Sequence, residues 1–503
     1  MSTDLSHRPR TGVAAAGRPH TPPASVTAAV DRSAAAFPEV AAATPARRRS
    51  WLEAVADAVE EAADRLVRIA DDESALGEPR LRGELGKMTQ NARYYAGVGE
   101  RGEWVRARIQ PGAAVGQDLR RAQLPVGPVA VFGASNFPFQ FGTLGHDTCS
   151  ALAAGCPVVV KAHPAHPLLS AALAELAEAA LAEAGAPAGT FSVVVGFEAG
   201  LILVDDPRIS AVAFTGSQRG GLALVERAAR RERPIPVFAE MGTVNPVVLT
   251  PAARSRVAEL AAGFVDSFTL GTGQFCTKPG LLLAPRGAGV PDAVAAEVAT
   301  RSGGWMLTEG IARAYREGVE ALQDAGAQLL ASPTDAIAGF EARAGYAVMP
   351  AVLRLTAADL APGSRLLEEC FGPAALVVEY RDLPEALDLL GRLQPSLAGS
   401  VLGSGPEDPD VAPVVARLAA QAGRVIVDGW PTGVACADAM QHGGPWPATS
   451  RPDATSVGAE ALGRFTRPVA FQGAPDRALP PALQDANPWR LPDRSPERAG
   501  ATA

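Results

Sequence analysis

The sequence predicts an α/β fold that contains a doubly wound parallel sheet. Short apolar runs such as Pro128–Phe132 and Pro157–Lys161 are typical of strands that are buried on both faces. Longer segments with helical spacing of apolar residues separate these runs, and such alternation favours a parallel sheet. The length of 503 residues exceeds what one hydrophobic core usually holds, so two or more domains are expected.

The first domain is predicted over residues 24–235. Residues 1–23 are rich in proline, arginine and small residues, and we expect them to be disordered. From about Ser25 to Tyr95 the apolar residues follow a helical period. The alternation that follows predicts strands at 128–132, 157–161, 191–195 and 210–214, and helices at 146–154, 168–184, 198–204 and 219–230.

A second α/β domain is predicted over residues 236–450. A new set of alternations starts at Pro236 and runs to about Val427, with strand-like runs at 280–284, 374–380 and 424–427. The proline-rich tail after Gly473 is expected to be extended, or partly ordered against a partner subunit.

Composition excludes several classes of function. Lys and Arg total 46 against 54 Asp and Glu, and the net charge of −8 disfavours a nucleic-acid surface. No apolar run approaches the ~18 residues that span a bilayer, and the N-terminus lacks the apolar core of a secretory signal. Five cysteines without metal-type spacing favour free thiols in a reducing compartment. We therefore expect a soluble, cytoplasmic enzyme with no nucleic-acid, membrane or metal partner.

Cys276 is the candidate nucleophile. It lies in the run Gly271-Thr-Gly-Gln-Phe-Cys-Thr-Lys-Pro-Gly280, whose glycines let the backbone approach a ligand closely. The alternative is that Cys276 is a small buried apolar residue. Upstream, Glu240 lies in Phe238-Ala-Glu-Met-Gly242 and offers a carboxylate base, unless it is a surface carboxylate. A thiol and a base around one pocket predict covalent catalysis.

Asn136 is the candidate oxyanion donor. It follows the strand at 128–132, at the carboxyl end of a parallel sheet, and its amide together with the backbone N–H of Cys276 offers two donors. The alternative is a turn residue before Phe-Pro. A helix after Asn136 would place four residues on one face, an arrangement that is also typical of an ordinary core stripe: Phe137, Gln140, Phe141 and Leu144.

The sequence pattern that indicates a nucleotide-binding loop is weak when it is taken alone. No GxGxxG follows a predicted strand, but Gly216-Ser-Gln-Arg-Gly-Gly221 follows a predicted strand and precedes a predicted helix. A phosphate can bind at such a helix N-terminus, with Ser217 as a donor and glycines at 216 and 221 allowing close approach.

Six strings occur in an order and at separations that resemble the aldehyde dehydrogenase superfamily. They are Ala134-Ser-Asn-Phe-Pro138, Lys161-Ala-His-Pro164, Phe214-Thr-Gly-Ser217, Phe238-Ala-Glu-Met-Gly242, Gln274-Phe-Cys-Thr277 and Glu368-Glu-Cys-Phe-Gly-Pro373. Residues 149–167 and His442–Thr449 resemble the branch that contains α-ketoglutaric semialdehyde (2,5-dioxovalerate) dehydrogenases, near which NADP-dependent fatty aldehyde dehydrogenases lie.

This resemblance implies a fold with a doubly wound cofactor domain, an α/β catalytic domain and a small β-flap. The flap, from segments near 109–126 and 451–471, would support a homodimer or homotetramer. The resemblance implies Cys276 as nucleophile, Glu240 as base and Asn136 as oxyanion donor. It also implies that one helix face lines the substrate pocket: Phe137, Gln140, Phe141 and Leu144. It implies that the nucleotide is held by Lys161, Thr215, Gly216, Ser217, Gly221, Met241, Glu369 and Phe371.

Pro164 bears on the choice of cofactor. NAD-preferring members of this family usually carry a carboxylate three residues after the lysine that corresponds to Lys161, and such a carboxylate would repel a 2′-phosphate. Proline removes this repulsion, so NADP is predicted, with NAD as the alternative. His163 and Arg219 are further candidates near the phosphate.

Departures from the branch leave the substrate open. Lys278 stands where relatives usually have a neutral residue, and it is interpreted as a substrate-pocket residue or as a solvated lysine. Residues 434–440 and Asp428 also differ from the usual pattern. The expected reaction is oxidation of a small aliphatic aldehyde, best a ketoacid semialdehyde such as 2,5-dioxopentanoate. Alternatives are an aldehyde with a phosphonate or other acidic tail, a CoA-acylating enzyme and a non-catalytic binding protein.

Overall fold

The computed structural model of the chain describes residues 2–333, 344–361, 363–492 and 494. Within these residues the strands are β1 (Thr3–Arg8), β2 (Val13–Pro19), β3 (Arg108–Ala114), β4 (Gln117–Pro125), β5 (Val129–Phe132), β6 (Val158–Lys161), β7 (Phe191–Val194), β8 (Ala211–Gly216), β9 (Val237–Met241), β10 (Pro246–Leu249), β11 (Leu281–Pro285), β12 (Gly304–Trp305), β13 (Gln328–Ala331), β14 (Ala347–Val348), β15 (Ala351–Thr356), β16 (Ala374–Tyr380), β17 (Ser396–Leu402), β18 (Ala422–Val427) and β19 (Thr466–Gln472).

The α-helices of the same residues begin with α1 (Pro23–Ala42), α2 (Pro45–Glu61), α3 (Ala63–Ser74), α4 (Glu78–Arg101), α5 (His146–Ala154), α6 (Pro167–Glu183), α7 (Phe197–Asp205) and α8 (Gln218–Ala229). They continue with α9 (Val257–Thr269), α10 (Val290–Val298), α11 (Glu309–Asp324), α12 (Leu383–Arg392) and α13 (Val411–Ala419). In this described part of the chain, no helix is both long enough and apolar enough to cross a bilayer.

Five parallel strands form the first sheet, in the order β7-β6-β5-β8-β9. Alternate residues of β5 face opposite cores, because side chains alternate across a strand. Val129 and Val131 pack with α2, α4, α5 and α6, while Ala130 and Phe132 pack with α1, α7 and α8. The strand order reverses between β5 and β8, which is where ligands bind beyond the carboxyl ends of a doubly wound sheet.

The second sheet has seven strands in the order β13-β15-β16-β11-β10-β17-β18. All neighbours are parallel except the edge strand β13, which is antiparallel to β15. One face packs against α11, α12 and α13, and the other packs against α9 and α10. The predicted α/β class with parallel sheets is therefore confirmed.

The expected domain boundary after residue 235 is wrong. Strand β9 pairs in parallel with β8, with Thr215 opposite Glu240, so β9 is the last strand of the first sheet. The crossover through α8 returns the chain beside β8, as expected for a short right-handed βαβ connection. The change of sheet falls between Met241 and β10. Glu240 is consequently carried by the first sheet and not by the second.

The expected disorder of residues 1–23 is also wrong. Strands β1 and β2 form an antiparallel hairpin that contacts α3 and α6. Hydrogen bonds hold the end of this segment, because Thr21 N donates to Val195 O at 2.9 Å and Val195 N donates to the Thr21 hydroxyl. Pairing with the folded domain supplies the contacts that a proline- and arginine-rich segment lacks by itself.

Strands β3, β4 and β19 form a separate antiparallel sheet. It uses part of the two segments predicted for the flap, and its role in oligomerisation stays a prediction. The tail packs on its own chain as far as it is described, because Leu483 and Leu491 are buried and Arg120 donates to Leu483 O at 2.7 Å. Residues 493 and 495–503 of the predicted tail lie outside the described residues.

Candidate active site

The carboxyl ends of the first sheet meet the amino ends of the second sheet. Glu240 lies next to the last residue of β9, and Asn136 lies four residues beyond β5. Cys276 precedes β11, and Asn245 immediately precedes β10. The Asn245 amide donates to the carbonyl of Cys276 at 2.8 Å and to that of Lys278 at 3.1 Å. The nucleophile loop is thus fixed to the start of a central strand.

The backbone before Cys276 is left-handed for three consecutive residues. Gly271, Thr272 and Gly273 have φ values of 56°, 59° and 64°. A Cβ on Gly273 would lie 2.3 Å from the carbonyl of Gly372, so only glycine fits this close approach. This contact joins the nucleophile loop to the segment after Glu369, and it explains the glycines that the sequence places around the thiol.

A histidine links the thiol to the carboxylate. His442 Nε2 lies 3.6 Å from Cys276 Sγ and 3.0 Å from Glu240 Oε1. His442 and Glu240 are buried, while Cys276 is half-buried and so open to a substrate. The hydroxyl of Ser456 donates to the other carboxylate oxygen of Glu240. The arrangement of nucleophile, histidine and orienting carboxylate is the one used to activate cysteine and serine nucleophiles.

The electrostatics favour an ion pair between His442 and Glu240. Burial opposes the charge on His442, but the neighbouring charges of Glu240 and Cys276 raise the pKa of His442 to about 10. Burial also opposes the charge on Glu240, but His442 and the hydrogen bond from Ser456 hold the pKa of Glu240 below its ordinary value. At neutral pH His442 is therefore an imidazolium paired with the Glu240 carboxylate, and it faces the Cys276 sulfur.

The sequence interpretation missed His442 as a functional residue. The string that begins at His442 was used only for its resemblance to one branch of the family. The available signal was a histidine before a glycine pair in a chain that carries a candidate catalytic cysteine, because such pairs are distant in sequence and close in space. Spacing alone does not show which of the six histidines reaches the thiol.

Asn136 is buried beside the nucleophile loop. One N–H of its side-chain amide donates to the carbonyl of Gln274 at 2.9 Å, which leaves the second N–H for a ligand. Within the described part of the chain, the backbone N–H of Cys276 donates to no acceptor. Two aimed donors beside a nucleophile are what an oxyanion hole requires. The geometry is compatible with the role predicted for Asn136.

The expected amphipathic helix after Asn136 is wrong. Pro138–Gly142 form a single π-helical turn, and the Glu84 carboxylate accepts the first N–H groups of this turn from Phe139 and Gln140. Phe137 and Phe141 still lie together, with ring centroids 5.8 Å apart, and belong to one cluster with Val434 and Met440.

Gln140 and Leu144 do not belong to the cluster that contains Phe137 and Phe141. Phe137 contacts Phe275, next to the nucleophile, with ring centroids 4.9 Å apart. Phe141 lies 6.0 Å from the ring of His442. Leu144 is buried in the main core of the first domain, so its assignment to the pocket is wrong, whereas Gln140 is half-buried.

The assignment of Lys278 to the substrate pocket is wrong, and so is the solvated alternative. Lys278 is 1% exposed, and its ammonium donates to the carbonyls of Cys370 and Ala374 at 3.0 and 2.7 Å. Burial lowers the pKa of Lys278, and the charge of Glu369 partly offsets that effect. This lysine therefore holds the backbone that follows Glu369 through two hydrogen bonds, and its ammonium does not face a substrate.

Arg424 provides a cation near the thiol that the sequence interpretation did not identify. It lies half-buried on β18, donates to the carbonyl of Pro431 and is near enough to Cys276 for the two charges to interact. Gly433 in the following loop donates to the Thr277 hydroxyl at 3.0 Å, so the loop is held against the nucleophile. Asp428 instead turns away, towards Arg256 and the Gly403 N–H.

The predicted phosphate loop lies at the N-terminus of α8. Ser217 caps this helix, and its hydroxyl accepts the Gly220 N–H at 3.2 Å. A Cβ on Gly221 would lie 2.6 Å from the Met241 sulfur, so Gly221 serves the packing of α8 on β9. Met241 is fully buried beneath it, and its side chain therefore does not reach a nucleotide.

Two buried polar atoms fit a dinucleotide. The Thr215 hydroxyl and Oε1 of Glu369 are buried without a hydrogen-bond partner in the described part of the chain. Burial raises the pKa of Glu369 to about 7, and Lys278 counters this rise. A Cβ on Gly242 would lie 2.3 Å from the other Glu369 oxygen. Lys161 ends β6 half-buried, and Phe371 packs beside Glu369. These groups can hold a nicotinamide nucleotide whose ring accepts the hydride.

Comparisons with known proteins identify the family of the chain. The model described as "Aldehyde dehydrogenase family" matches residues 5–446. The chain is 43% identical over 480 residues to α-ketoglutaric semialdehyde dehydrogenase 2 of Azospirillum brasilense, covering 93% of this chain and 90% of the relative. It is 38% identical over 462 residues to α-ketoglutaric semialdehyde dehydrogenase of Acinetobacter baylyi, covering 89% and 86%.

A solved structure of an NAD-dependent aldehyde dehydrogenase from Sinorhizobium meliloti has the same fold. Its TM-score is 0.80 at 25% identity, covering 94% of this chain and 92% of the other. The chain therefore belongs to the aldehyde dehydrogenase family. It is an enzyme that oxidises an aldehyde with NAD(P), so the predicted family and reaction class are confirmed.

Proposed function

We propose that this enzyme oxidises an aldehyde with an acidic tail, best a ketoacid semialdehyde such as 2,5-dioxopentanoate, to the dicarboxylate. The observation that carries the proposal is the 43% and 38% identity to two α-ketoglutaric semialdehyde dehydrogenases over most of the chain. The cation Arg424 near Cys276 supports it, because a carboxylate tail needs a positive partner.

The covalent step begins when the Cys276 thiolate attacks the aldehyde carbon. The carbonyl oxygen gains the negative charge and receives hydrogen bonds from the Asn136 amide and the Cys276 N–H. Loss of hydride from the tetrahedral carbon restores the carbonyl and leaves a thioester on Cys276. A nicotinamide held beside Thr215 and Glu369 would accept this hydride. His442 pairs with the charge of the thiolate before the attack and after the thioester is cleaved.

Hydrolysis of the thioester uses the pair formed by Glu240 and His442. The thiolate charge is absent from the thioester, so His442 retains only Glu240 as an anionic neighbour and holds its proton less tightly. The pair then accepts a proton from the attacking water, the C–S bond breaks, and the carboxylate leaves. This intact proton acceptor supports water over CoA as the acyl acceptor.

Arg424 is proposed to bind the acidic tail. In an extended five-carbon semialdehyde the carboxylate lies about 5 Å from the aldehyde carbon, which suits a cation close to the nucleophile. The aromatic pair Phe137 and Phe141 lines the apolar part of this route. Because a guanidinium also binds phosphonate, aldehydes with that tail belong in the test.

We propose NADP as the preferred cofactor, with NAD also accepted. Support comes from Pro164, which is exposed three residues after Lys161 and carries no charge. Asp4 on the N-terminal hairpin opposes this preference, because its charge interacts with Lys161. Asp4 Oδ1 also lies 2.8 Å from His20 Nε2, which fixes the Asp4 side chain on the hairpin.

We also propose that the enzyme is a cytoplasmic homodimer or homotetramer. The free cysteines support a reducing compartment. The flap formed by β3, β4 and β19 supports subunit pairing, because its strands β3 and β19 are sheet edges. Size-exclusion chromatography with light scattering measures the number of subunits.

The decisive experiment is a steady-state assay of 2,5-dioxopentanoate, pentanal and a phosphonate aldehyde of similar length. Each substrate is measured with NAD and with NADP, and with and without CoA. We expect the highest kcat/KM for the ketoacid semialdehyde, no dependence on CoA, and the carboxylic acid as product. A higher kcat/KM for pentanal would contradict the acidic-tail substrate, and a CoA thioester as product would contradict hydrolysis.

A further inference from the structure

We infer that Cys276, His442 and Glu240 form a binding site for a thiophilic divalent cation such as Zn²⁺, and that occupation of this site stops the enzyme reversibly. This inference concerns control of the site and goes beyond the oxidation of a semialdehyde. The three ligand atoms, namely the sulfur, a ring nitrogen and a carboxylate oxygen, all lie within 4.8 Å of one another.

The separations suit tetrahedral zinc. With Zn–S of about 2.3 Å and Zn–N of about 2.1 Å, a tetrahedral angle places sulfur and nitrogen about 3.6 Å apart. Cys276 Sγ and His442 Nε2 lie 3.6 Å apart. The corresponding nitrogen–oxygen separation is about 3.4 Å, and His442 Nε2 and Glu240 Oε1 lie 3.0 Å apart. Rotation of the Glu240 side chain would lengthen the nitrogen–oxygen separation towards the tetrahedral value.

The surrounding residues hold the ligands in place. The backbone N–H of His442 donates to the Thr455 hydroxyl at 2.9 Å, and the backbone N–H of Ser456 donates to the His442 carbonyl at 2.9 Å. The Ser456 hydroxyl orients the Glu240 carboxylate. Metal sites depend on such fixed outer contacts, and their loss typically costs 10- to 100-fold in affinity.

The ligand set selects the kind of cation. Thiolate and imidazole prefer Zn²⁺ and similar ions over Mg²⁺ or Ca²⁺, which prefer oxygen ligands. His442 binds the cation as neutral imidazole, so occupation of the site releases the proton that His442 otherwise shares with Glu240. Three protein ligands leave the fourth tetrahedral position open on the side from which the aldehyde approaches the half-buried Cys276. A cation bound to Sγ occupies the lone pair that attacks the aldehyde. Zn²⁺ should therefore compete with the aldehyde and not with the nucleotide.

The test measures metal binding directly on the full-length chain, with Co²⁺ as an optical probe for Zn²⁺. We expect one Co²⁺ per chain with a thiolate-to-cobalt charge-transfer band, which Zn²⁺ removes by displacement. Buffered Zn²⁺ should raise the apparent KM of the aldehyde without changing that of the nucleotide, and a chelator should restore activity. Because the optical band is measured without substrate, failure of the semialdehyde proposal leaves this test intact.

Variants assign the ligands. Cys276→Ser should lose the charge-transfer band, and His442→Gln and Glu240→Gln should each weaken Zn²⁺ binding at least tenfold, with circular dichroism confirming the fold. His7→Gln is the matched control. His7 lies on the N-terminal hairpin, where its ring bonds to the Tyr346 hydroxyl, and it is not one of the three proposed ligands. A band that survives Cys276→Ser, unchanged affinity in both His442→Gln and Glu240→Gln, or Zn²⁺ inhibition that does not compete with aldehyde would overturn the inference.

Discussion

His442 Nε2 lies 3.0 Å from Glu240 Oε1, although Glu240 is carried by the first sheet and His442 follows the second. The pair is buried, and its nitrogen also faces the candidate nucleophile at 3.6 Å. Glu240 therefore acts on the thiol of Cys276 through His442.

The reactivity of Cys276 should depend on His442 in a defined pH range. The pKa of His442 is raised to about 10, so its charged form persists from acid through neutral pH and is lost only as pH rises through about 10. Between pH 7 and pH 9, iodoacetamide should alkylate Cys276 faster in the native enzyme than in His442→Gln, because the charged imidazole stabilises the thiolate. This difference should disappear as pH rises through about 10, where His442 loses its charge. Equal pH profiles would contradict the pairing.

Cys276→Ala should abolish dehydrogenase turnover and leave nucleotide binding nearly unchanged. The thiol is needed for the covalent step, whereas the candidate nucleotide groups lie on β6, β8 and the segment at Glu369. Isothermal titration with NAD and NADP and a steady-state assay measure the two properties separately. Cys156→Ala is the control, because Cys156 is buried and donates to the carbonyl of Phe465. Substantial turnover by a folded Cys276→Ala variant would contradict covalent catalysis by Cys276.

Glu240→Gln should slow release of the acid more than formation of NAD(P)H. The neutral amide cannot pair with the His442 cation or accept the proton of water, so the thioester on Cys276 should accumulate. A rapid first turnover followed by a rate at least 100-fold below the native rate is expected. Mass spectrometry of the Cys276 peptide detects the acyl adduct. Native steady-state rates across the pH range would remove Glu240 from the mechanism.

Arg424→Met should separate acidic from neutral aldehydes. The variant keeps the apolar stem and removes the charge, so KM for 2,5-dioxopentanoate should rise at least tenfold, which corresponds to a lost charge-assisted contact of about 1.4 kcal/mol or more. KM for pentanal should change less than about threefold, and Arg424→Lys should recover part of the loss. Equal effects on both aldehydes would show that Arg424 only supports the loop at Pro431.

Charges near Lys161 should set the cofactor preference in opposite directions. Pro164→Glu should lower the NADP/NAD ratio of kcat/KM at least fivefold, since two like charges about 4 Å apart repel by roughly 1 to 4 kcal/mol. Asp4→Asn should raise the same ratio about twofold or more, because it removes an anion that interacts with Lys161. If Pro164→Glu leaves the ratio unchanged, this position does not face the ribose phosphate.

Local patterns predicted most of the fold, because buried parallel strands are short apolar runs that leave little ambiguity. The helix predicted at 146–154 and the strand at 374–380 have the bounds of α5 and β16. The boundary after residue 235 failed for a different reason: whether β9 continues the first sheet depends on pairing with β8, and pairing has no local signature. The prediction of disorder for residues 1–23 was wrong for the same reason, because the hairpin of β1 and β2 folds through contacts with α3 and α6, which are distant in sequence.

Short strings around Cys276 and Glu240 were enough to predict that these two side chains lie at one site, and their catalytic roles stay predictions. Lys278 shows the limit of such reasoning. Its neighbour two residues before is the candidate nucleophile, yet its ammonium turns to the carbonyls of Cys370 and Ala374 because these need donors in a buried place. Likewise, Arg424 and His442 reach the thiol from a strand and a loop that are distant in sequence.

The junction between the two sheets makes this chemistry sensitive to alignment. Cys276 is fixed to the start of β10 through Asn245, whereas its distant carboxylate belongs to β9 of the other layer. A slip of about one ångström between the layers would separate the imidazolium from the thiol while every helix and strand stays intact. On gentle heating, inactivation should therefore precede the loss of helical signal, and the loosened enzyme would carry an unactivated thiol, which oxidants attack more slowly.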